Sequence, residues 1–287
     1  MADRLPQPAL RGAMPGSVDA LLDMLALDPL DTDVFAAPVT DRREEGRLFG
    51  GLVAAQSLRA AALTVPDGRR PHSLHGYFLR PGRPRVPLEL AVSRLRDGGS
   101  FTTRTVVARQ AGEAIFECSA SFHRDEPGRE YATPPPDDTP DPDGDGPWAE
   151  SPIAVVERQM PFEMRHLHPS PPDTRGLVRS TRRVWVRTKG SLPDDPMVHA
   201  CLLTFLSDMG AVLAAAIAVG GTFGTIMGAS LDHAVWFHRP IRLDEWVCFD
   251  LRPVSNAGAR GLVHGTFHTR DGMHGASMAQ EALIRPL

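Results

Sequence analysis

One carboxylate stands alone in the most apolar stretch of this sequence. Between Cys201 and Val219, Asp208 is the only acidic or basic side chain. Burying an unpaired carboxylate is costly, and few structural roles would offset that cost. A carboxylate held there could accept a proton from a bound molecule, so Asp208 is the best single candidate for a functional site. The alternatives are that the segment has a solvated edge that carries Asp208, or that Asp208 caps a break at Gly210.

Two polar residues of predicted strands are further candidates. In the last strand, Gln280 shares one face with Met278, Ala282 and Ile284 by period-two alternation, so its amide needs a polar partner among apolar neighbours. Ser230 begins an earlier strand and is a weaker candidate. The alternatives are a core amide that bonds the backbone for Gln280, and a cap or turn for Ser230.

Other chemical motifs receive less support. Asp232 and His233 are adjacent in a predicted strand, where neighbours point to opposite faces, so we favour a structural role for both. His264 and His268 have a spacing that suits metal binding on a helix, but they lie in a predicted strand, so no metal is expected. The chain contains no Gly-x-Ser-x-Gly elbow, Walker loop or complete Gly-x-Gly-x-x-Gly fingerprint. Serine-triad, P-loop and Rossmann functions are therefore unsupported.

The elements that position these residues occur twice. The segments Tyr77–Pro81 and Trp236–Pro240 share an aromatic-Phe-x-Arg-Pro core and lie 159 positions apart (240 − 81). A repeat of this length indicates two copies of one domain. We predict a first repeat over 17–124, a Pro/Asp-rich linker over 125–172 and a second repeat over 173–287, which carries all three candidates.

Each predicted repeat consists of one helix and a series of strands, which is an α+β arrangement. The first has a short helix from Val18, a strand-like run at 34–39, a central helix at Gly50–Ala62 and strands at 72–79, 87–95, 100–109 and 114–123. The second has a strand at 183–187, a long helix at 197–218 and strands at 230–238, 245–252, 261–269 and 275–284. The apolar segment from Cys201 approaches the length of a membrane span, but its polar centre and lack of basic flanks favour a core helix.

Composition narrows the class of protein. The chain has 287 residues, 42% of them hydrophobic, and a net charge of −4, which offers no general attraction for nucleic acid. Its three cysteines are far apart, so a disulfide framework is not indicated and a cytoplasmic location is expected. Met1–Pro15 lacks the apolar core of a signal peptide and is predicted to be a mobile tail.

Several motifs in the same order resemble the TesB-type acyl-CoA thioesterases, the thioesterase II family. They are Phe49–Gln56, His72–Gly82 and Arg96–Phe101 in the first repeat, and Gly190–Asp195, Leu231–Pro240, Glu245–Trp246, Ala259–Gly261 and Gln280–Glu281 in the second. The resemblance covers the chain from about Val18 to the C-terminus, excluding the linker.

Membership implies a double hotdog fold: two tandem repeats, each a curved antiparallel sheet wrapped around a long central helix. It implies hydrolysis of acyl-CoA thioesters to free fatty acid and CoA, without a cofactor, by a homo-oligomer. In the family, a water is oriented and activated by an Asp of the second helix, a Thr or Ser before the Asp-His pair, and a Gln of the last strand. The matching residues here are Asp208, Ser230 and Gln280.

Two departures and two alternatives accompany this resemblance. Leu52 stands where the family often has Gln, so the first repeat gives no sign of a working site, and Ser230 replaces the commoner Thr but keeps the hydroxyl. A non-catalytic acyl-CoA-binding protein on the same fold is the main alternative. A hotdog dehydratase would use a His with an acid on the central helix, but His199 precedes Asp208 by nine residues, too far for one cluster. The sequence leaves open whether Asp208 acts as a general base or as a nucleophile.

Overall fold

The computed structural model describes residues 14–151, 154–171, 174, 178–222 and 224–287. The expected N-terminal tail lies almost wholly outside these ranges. The described helices are α1 (Val18–Asp23), α2 (Gly50–Ala62), α3 (Ala154–Glu157), α4 (Pro196–Ser207) and α5 (Ala211–Ile217). The strands of the first half are β1 (Asp28–Asp31), β2 (Val34–Ala37), β3 (Arg69–Phe78), β4 (Leu88–Asp97), β5 (Phe101–Gln110) and β6 (Glu113–Arg124). Those of the second half are β7 (Trp148–Ala149), β8 (Phe162–Leu167), β9 (Arg182–Thr188), β10 (Ile226–Ser230), β11 (Asp232–Phe237), β12 (Val247–Ala257), β13 (Arg260–Thr269) and β14 (His274–Pro286).

These strands form one continuous antiparallel sheet whose two halves meet at β3 and β11. The strand order is β1-β2-β4-β5-β6-β3-β11-β14-β13-β12-β9-β8-β7, and β10 pairs with β14. At the centre, His75 lies opposite Ala234, and these positions are 159 apart (234 − 75), as are the repeated motifs. An approximate twofold relation therefore maps the order β3-β6-β5-β4 onto β11-β14-β13-β12.

Helix α2 fills the inside of the first half. Every residue from Gly51 to Ala61 is buried except Arg59, and the helix packs against β4, β5 and β6. Such burial is possible all round because most of its side chains are small. Helix α5 packs in the same way against β12, β13 and β14, while α4 packs against α2.

The prediction of one unbroken helix over 197–218 is wrong. Helix α4 begins where the Asp195 side chain accepts a hydrogen bond from the Met197 N–H, and it ends at Ser207, with Asp208 as its C-cap. Gly210 then adopts a φ of +89°, a left-handed conformation that interrupts the helix before α5. A Cβ on Gly210 would lie 2.9 Å from the side chain of Arg182, which donates a 2.8 Å hydrogen bond to the Met209 carbonyl.

The α4–α5 segment also meets a length and composition test for membrane spans. An 18-residue stretch within Pro196–Ile217 has a mean hydropathy of 1.9, but 72% of that stretch is buried inside the protein. The core helix of a globular domain has the same properties. A core helix, rather than a span, therefore stays our prediction.

Part of the predicted linker has regular structure. β8 pairs with β9, and β7 pairs with β8, so these two strands extend the sheet of the second half. Before β7, the Pro/Asp-rich chain is bound to the sheet face that is turned away from the helices. Arg183 donates to Asp138, and Arg270 donates to Asp141 and Asp143. The composition did not predict these contacts because their partners are distant in sequence. The repeat boundaries stay a prediction.

Candidate active site

The break between α4 and α5 places Asp208 at the junction of the two halves, where its side chain meets all the predicted partners. Only 6% of Asp208 is exposed. Its Oδ1 atom accepts hydrogen bonds from Ser230 Oγ at 3.1 Å and from Gln280 Nε2 at 2.9 Å. Its Oδ2 atom accepts one from the backbone N–H of Gly51 at 2.8 Å. The structure thus brings the three predicted site residues together.

Ser230 and Gln280 come from two paired strands. Ser230 ends β10, which runs alongside β14, and Gln280 Nε2 donates to Ser230 Oγ at 2.7 Å as well as to Asp208. Gln280 is completely buried, whereas Ser230 is partly exposed. The amide is therefore an internal support, and the hydroxyl and carboxylate are the groups that a bound molecule can reach.

Two glycines at the start of α2 permit this close contact. A Cβ on Gly50 would lie 2.8 Å from Asp208 Oδ2 and 2.7 Å from Cζ of Phe78. A Cβ on Gly51 would lie 2.4 Å from the carbonyl oxygen of Phe205 on α4. Real Cβ contacts are not this short, so the first turn of α2 can approach the carboxylate only without side chains. The site therefore needs a helix of the first half as well as three residues of the second.

Sequence reasoning missed His233 as a neighbour of the site. Its ring is completely buried, with Nδ1 2.7 Å from Gln280 Oε1 and Nε2 2.7 Å from Ser207 Oγ. The signal was available, because His233 alternates with the buried Val235 and so faces inward. Asp232 accepts a hydrogen bond from the Glu281 N–H instead, as expected for adjacent strand residues with opposite directions.

Burial controls the electrostatics of Asp208 and His233. Desolvation raises the pKa of Asp208, opposed by His233 and by the hydrogen bonds from Gln280, Ser230 and Gly51. Desolvation lowers the pKa of His233, opposed by the charge of Asp208. A carboxylate with a raised pKa is a stronger proton acceptor than an ordinary surface aspartate.

Asp208 and Ser230 border a cavity of about 510 Å³. Its inner wall is largely apolar and includes Phe49, Val53, Phe78, Ile115, Val212 and Leu213. Three arginines also border the cavity: Arg43, Arg47 and Arg80. The cavity joins an apolar wall, a reactive carboxylate and positive charge, which fits a ligand with an apolar part and anionic groups.

The remaining acid–base and metal candidates do not meet. His199 lies in the first turn of α4 and Asp208 at its end, about 14 Å apart at 1.5 Å per residue. A His/Asp pair of the dehydratase type is therefore not formed. Among the residues that the structure describes, no three His, Cys, Asp or Glu side chains are grouped to hold a metal ion.

Comparisons with known proteins agree with this architecture. Residues 159–283 match the family model for acyl-CoA thioesterase, and residues 39–123 match that for the acyl-CoA thioesterase N-terminal domain. Mouse acyl-coenzyme A thioesterase 8 is 33% identical over 96% of this chain and 92% of its own length. Acyl-CoA thioesterase 2 of Haemophilus influenzae is 31% identical over 92% of this chain and 96% of its own length.

Solved structures support the same assignment. The acyl-CoA thioesterase II TesB2 of Mycobacterium marinum has a TM-score of 0.79 and 35% identity, covering 93% of this chain and 98% of that one. A hot dog fold protein from Alicyclobacillus acidocaldarius, at 20% identity and a TM-score of 0.74, covers 93% of this chain and 98% of its own and supports the fold alone. The predicted double hotdog fold is confirmed. With two family models matched in order and relatives above 30% identity over nearly the whole chain, this protein belongs to the acyl-CoA thioesterase family.

Proposed function

We propose that this protein hydrolyses acyl-CoA thioesters to free fatty acid and CoA, with Asp208 as the general base. The observation that carries the proposal is that one atom, Asp208 Oδ1, accepts hydrogen bonds from both Ser230 and Gln280 at the edge of the apolar cavity. These two donors fix the plane of the carboxylate. Asp208 Oδ2 has only the Gly51 N–H as a bonded partner among the described residues, so one lone pair remains for a water.

In the proposed reaction, this water gives a proton to Asp208 while its oxygen bonds to the thioester carbon. The tetrahedral intermediate then collapses, the C–S bond breaks, and the proton passes from Asp208 to the departing CoA sulfur. Ser230 Oγ is the second group within reach of the water and helps to orient it. Gln280 does not border the cavity, so its proposed role is to hold Asp208 and Ser230 in place.

The developing oxyanion needs a hydrogen-bond donor. Gly50 is the first residue of α2, and its N–H donates no hydrogen bond to the part of the chain that the structure describes. It lies at the positive end of the helix dipole, and the helix has no side-chain cap. Backbone donors at a helix start are well suited to this task, and we assign the oxyanion to Gly50.

The cavity also accommodates the two ends of the substrate. The apolar wall suits the acyl chain, and the rim arginines suit the CoA phosphates. Arg43 is already bound to Asp41, and Arg80 donates to the Ala114 carbonyl. Arg47 is exposed and its guanidinium has no bonded partner among the described residues, so it is the first choice for a phosphate contact.

The test is steady-state hydrolysis of acyl-CoA thioesters from C2 to C20 by wild type and Asp208→Asn, measured by release of free thiol. We expect the variant to lose at least about 100-fold in kcat, the usual scale of general-base catalysis. Near-full activity in Asp208→Asn would refute the role of Asp208. Tight binding of acyl-CoA by the wild type without thiol release would instead establish the non-catalytic alternative.

A second measurement separates general-base from nucleophilic catalysis. After many turnovers in H₂¹⁸O, a nucleophilic Asp208 exchanges a carboxylate oxygen for ¹⁸O whenever water cleaves the acyl-enzyme anhydride at the aspartyl carbonyl. A general base gains no label, and the ¹⁸O appears only in the fatty acid. Mass spectrometry of the peptide containing Asp208 distinguishes the two routes.

We propose a cytoplasmic location on the basis of the three free, buried cysteines, which form no disulfide. Homo-oligomerisation is proposed from the family resemblance alone, and sedimentation equilibrium of the full chain would test it.

A further inference from the structure

His233 connects strand β14, which carries Gln280, with the end of helix α4 beside Asp208. It lies in β11, its ring is completely buried, and both ring nitrogens have a polar neighbour at 2.7 Å. One neighbour is Gln280 on β14 and the other is Ser207, the residue before Asp208 on α4. A ring held at both nitrogens has one orientation, so its protonation pattern can be deduced from its neighbours.

The orientation of the Gln280 amide shows whether His233 Nδ1 carries a proton. Its Nε2 group faces Asp208 Oδ1 and Ser230 Oγ, at 2.9 and 2.7 Å. An ionised carboxylate can only accept, so the NH₂ end must be the one that faces it. The carbonyl Oε1 then faces His233 Nδ1, and a carbonyl also can only accept. Nδ1 therefore carries a proton.

Ser207 accounts for the other nitrogen. Its single hydroxyl proton lies within reach of two acceptors, His233 Nε2 at 2.7 Å and the Thr204 carbonyl at 2.8 Å. Burial lowers the pKa of His233, with Asp208 and Asp232 as the opposing carboxylates, which favours the neutral ring. In the neutral ring Nε2 is an acceptor, and it accepts a hydrogen bond from the Ser207 hydroxyl. The tautomer is then the Nδ1–H form.

We propose that His233 is a positioning residue, whose Nδ1–H holds the Gln280 carbonyl so that the Gln280 NH₂ group faces Asp208 and Ser230. Without this donor, Oε1 is a buried acceptor with no other partner among the described residues, and only Asp208 and Ser230 still hold the amide in its orientation. Rotation of the amide by 180° would place its carbonyl oxygen against the Asp208 carboxylate. This inference rests on the proposed function, because it assigns a supporting role within the same site.

The test compares two substitutions of His233 that differ in the one property at issue. The side-chain NH₂ of Asn lies at the same distance from the backbone as Nδ1, so His233→Asn keeps the donor, and His233→Leu removes it. We expect His233→Leu to lower kcat by about 10- to 100-fold, the scale of one lost buried hydrogen bond, with KM changed little. His233→Asn should recover at least about five-fold of that loss.

A role in packing alone predicts the opposite order. Leu fills an apolar space better than Asn does, so a merely structural histidine would give His233→Leu the higher stability and the higher activity. Thermal unfolding of both variants is measured beside kcat. Activity of His233→Leu equal to or above that of His233→Asn overturns the proposal.

A second measurement needs no substitution of His233. Long-range ¹H–¹⁵N NMR spectra of the wild-type protein report which ring nitrogen carries the proton, with the signal assigned by its disappearance in His233→Asn. We expect a protonated Nδ1 and an unprotonated Nε2 near neutral pH; the reverse tautomer overturns the proposal even if His233→Leu does not fold. If Asp208→Asn is inactive but His233→Leu is not, only the present inference fails. If Asp208→Asn is active, the proposed function fails first.

Discussion

The backbone N–H of Gly51 donates a 2.8 Å hydrogen bond to Oδ2 of Asp208, across 157 positions of sequence. Gly51 lies in the first turn of α2 in the first half, and Asp208 is the C-cap of α4 in the second. The carboxylate is therefore held by both halves, although all its side-chain donors come from the second. An approximately twofold fold thus carries an asymmetric site.

The same asymmetry explains why the first half has no equivalent site. In the twofold relation, the position equivalent to Gln280 in the first half is Ala120 or Ser121. Helix α2 contains no acidic residue that could correspond to Asp208. What the first half contributes is backbone at the start of α2.

Gly50→Ala should reduce kcat strongly while the fold is kept. The new Cβ would lie 2.8 Å from Asp208 Oδ2, where the proposed water binds, and 2.7 Å from Phe78. A displacement of about 1 Å at a reacting group can cost about 100-fold in rate, and we expect a loss of this size. Gly99→Ala is the matched control, since a Cβ at Gly99 meets nothing within 4 Å. Equal kcat values for the two variants, measured with one acyl-CoA, would show that Gly50 is not needed at the site.

Local patterns predicted much of this fold. Helix α2 has the predicted bounds, because the Ala-rich run and the turn after it are local signals. The three predicted site residues were found because each is polar where its element is otherwise apolar, or because the family motif includes it. The resemblance, rather than spacing alone, joined them into one set.

Long-range contacts account for what the sequence did not show. The break after Asp208 combines the left-handed Gly210 with a hydrogen bond from Arg182 to the carbonyl before it, and Arg182 belongs to another strand. The position of the linker depends on Arg183 and Arg270, and the role of His233 depends on Ser207 and Gln280. None of these pairs has a regular sequence spacing, so periodicity could not reveal them.

The pH dependence of kcat/KM should show an acidic limb that belongs to Asp208. Desolvation raises the pKa of this carboxyl above its usual 3.8, and the base works only when ionised. Activity should therefore be present above the raised pKa and fall as the pH drops through it, with a midpoint above 3.8.

Samples returned to neutral pH must regain activity, so that acid unfolding is excluded. Asp232→Asn, which removes a neighbouring carboxylate whose one hydrogen bond among the described residues is from the Glu281 N–H, should keep the same midpoint. A midpoint at or below the usual value would contradict the assignment.

The three cysteines should be unreactive in the folded protein. Cys118, Cys201 and Cys248 are free and buried, and desolvation raises the pKa of each thiol to about 12. The reactive thiolate is therefore almost absent near neutral pH. Iodoacetamide should leave both mass and activity of the native enzyme unchanged, while the urea-unfolded chain gains three labels. Loss of activity on native labelling would point to an accessible cysteine at the site.

Arg47→Gln should weaken substrate binding without slowing the chemical step. Arg47 borders the cavity at its rim and carries no ion pair among the described residues, whereas Asp208 and Ser230 border the same cavity within reach of the proposed water. A phosphate contact made equally in the bound and transition states raises KM and leaves kcat unchanged when it is lost. We expect KM to rise about 10-fold, the scale of one charge-assisted hydrogen bond, and the difference from wild type to shrink as salt is added.

Arg96→Gln removes one exposed charge away from the cavity and is the matched control for net charge. A salt-independent fall in kcat with KM unchanged would assign Arg47 to the chemistry or to the fold, rather than to the phosphates.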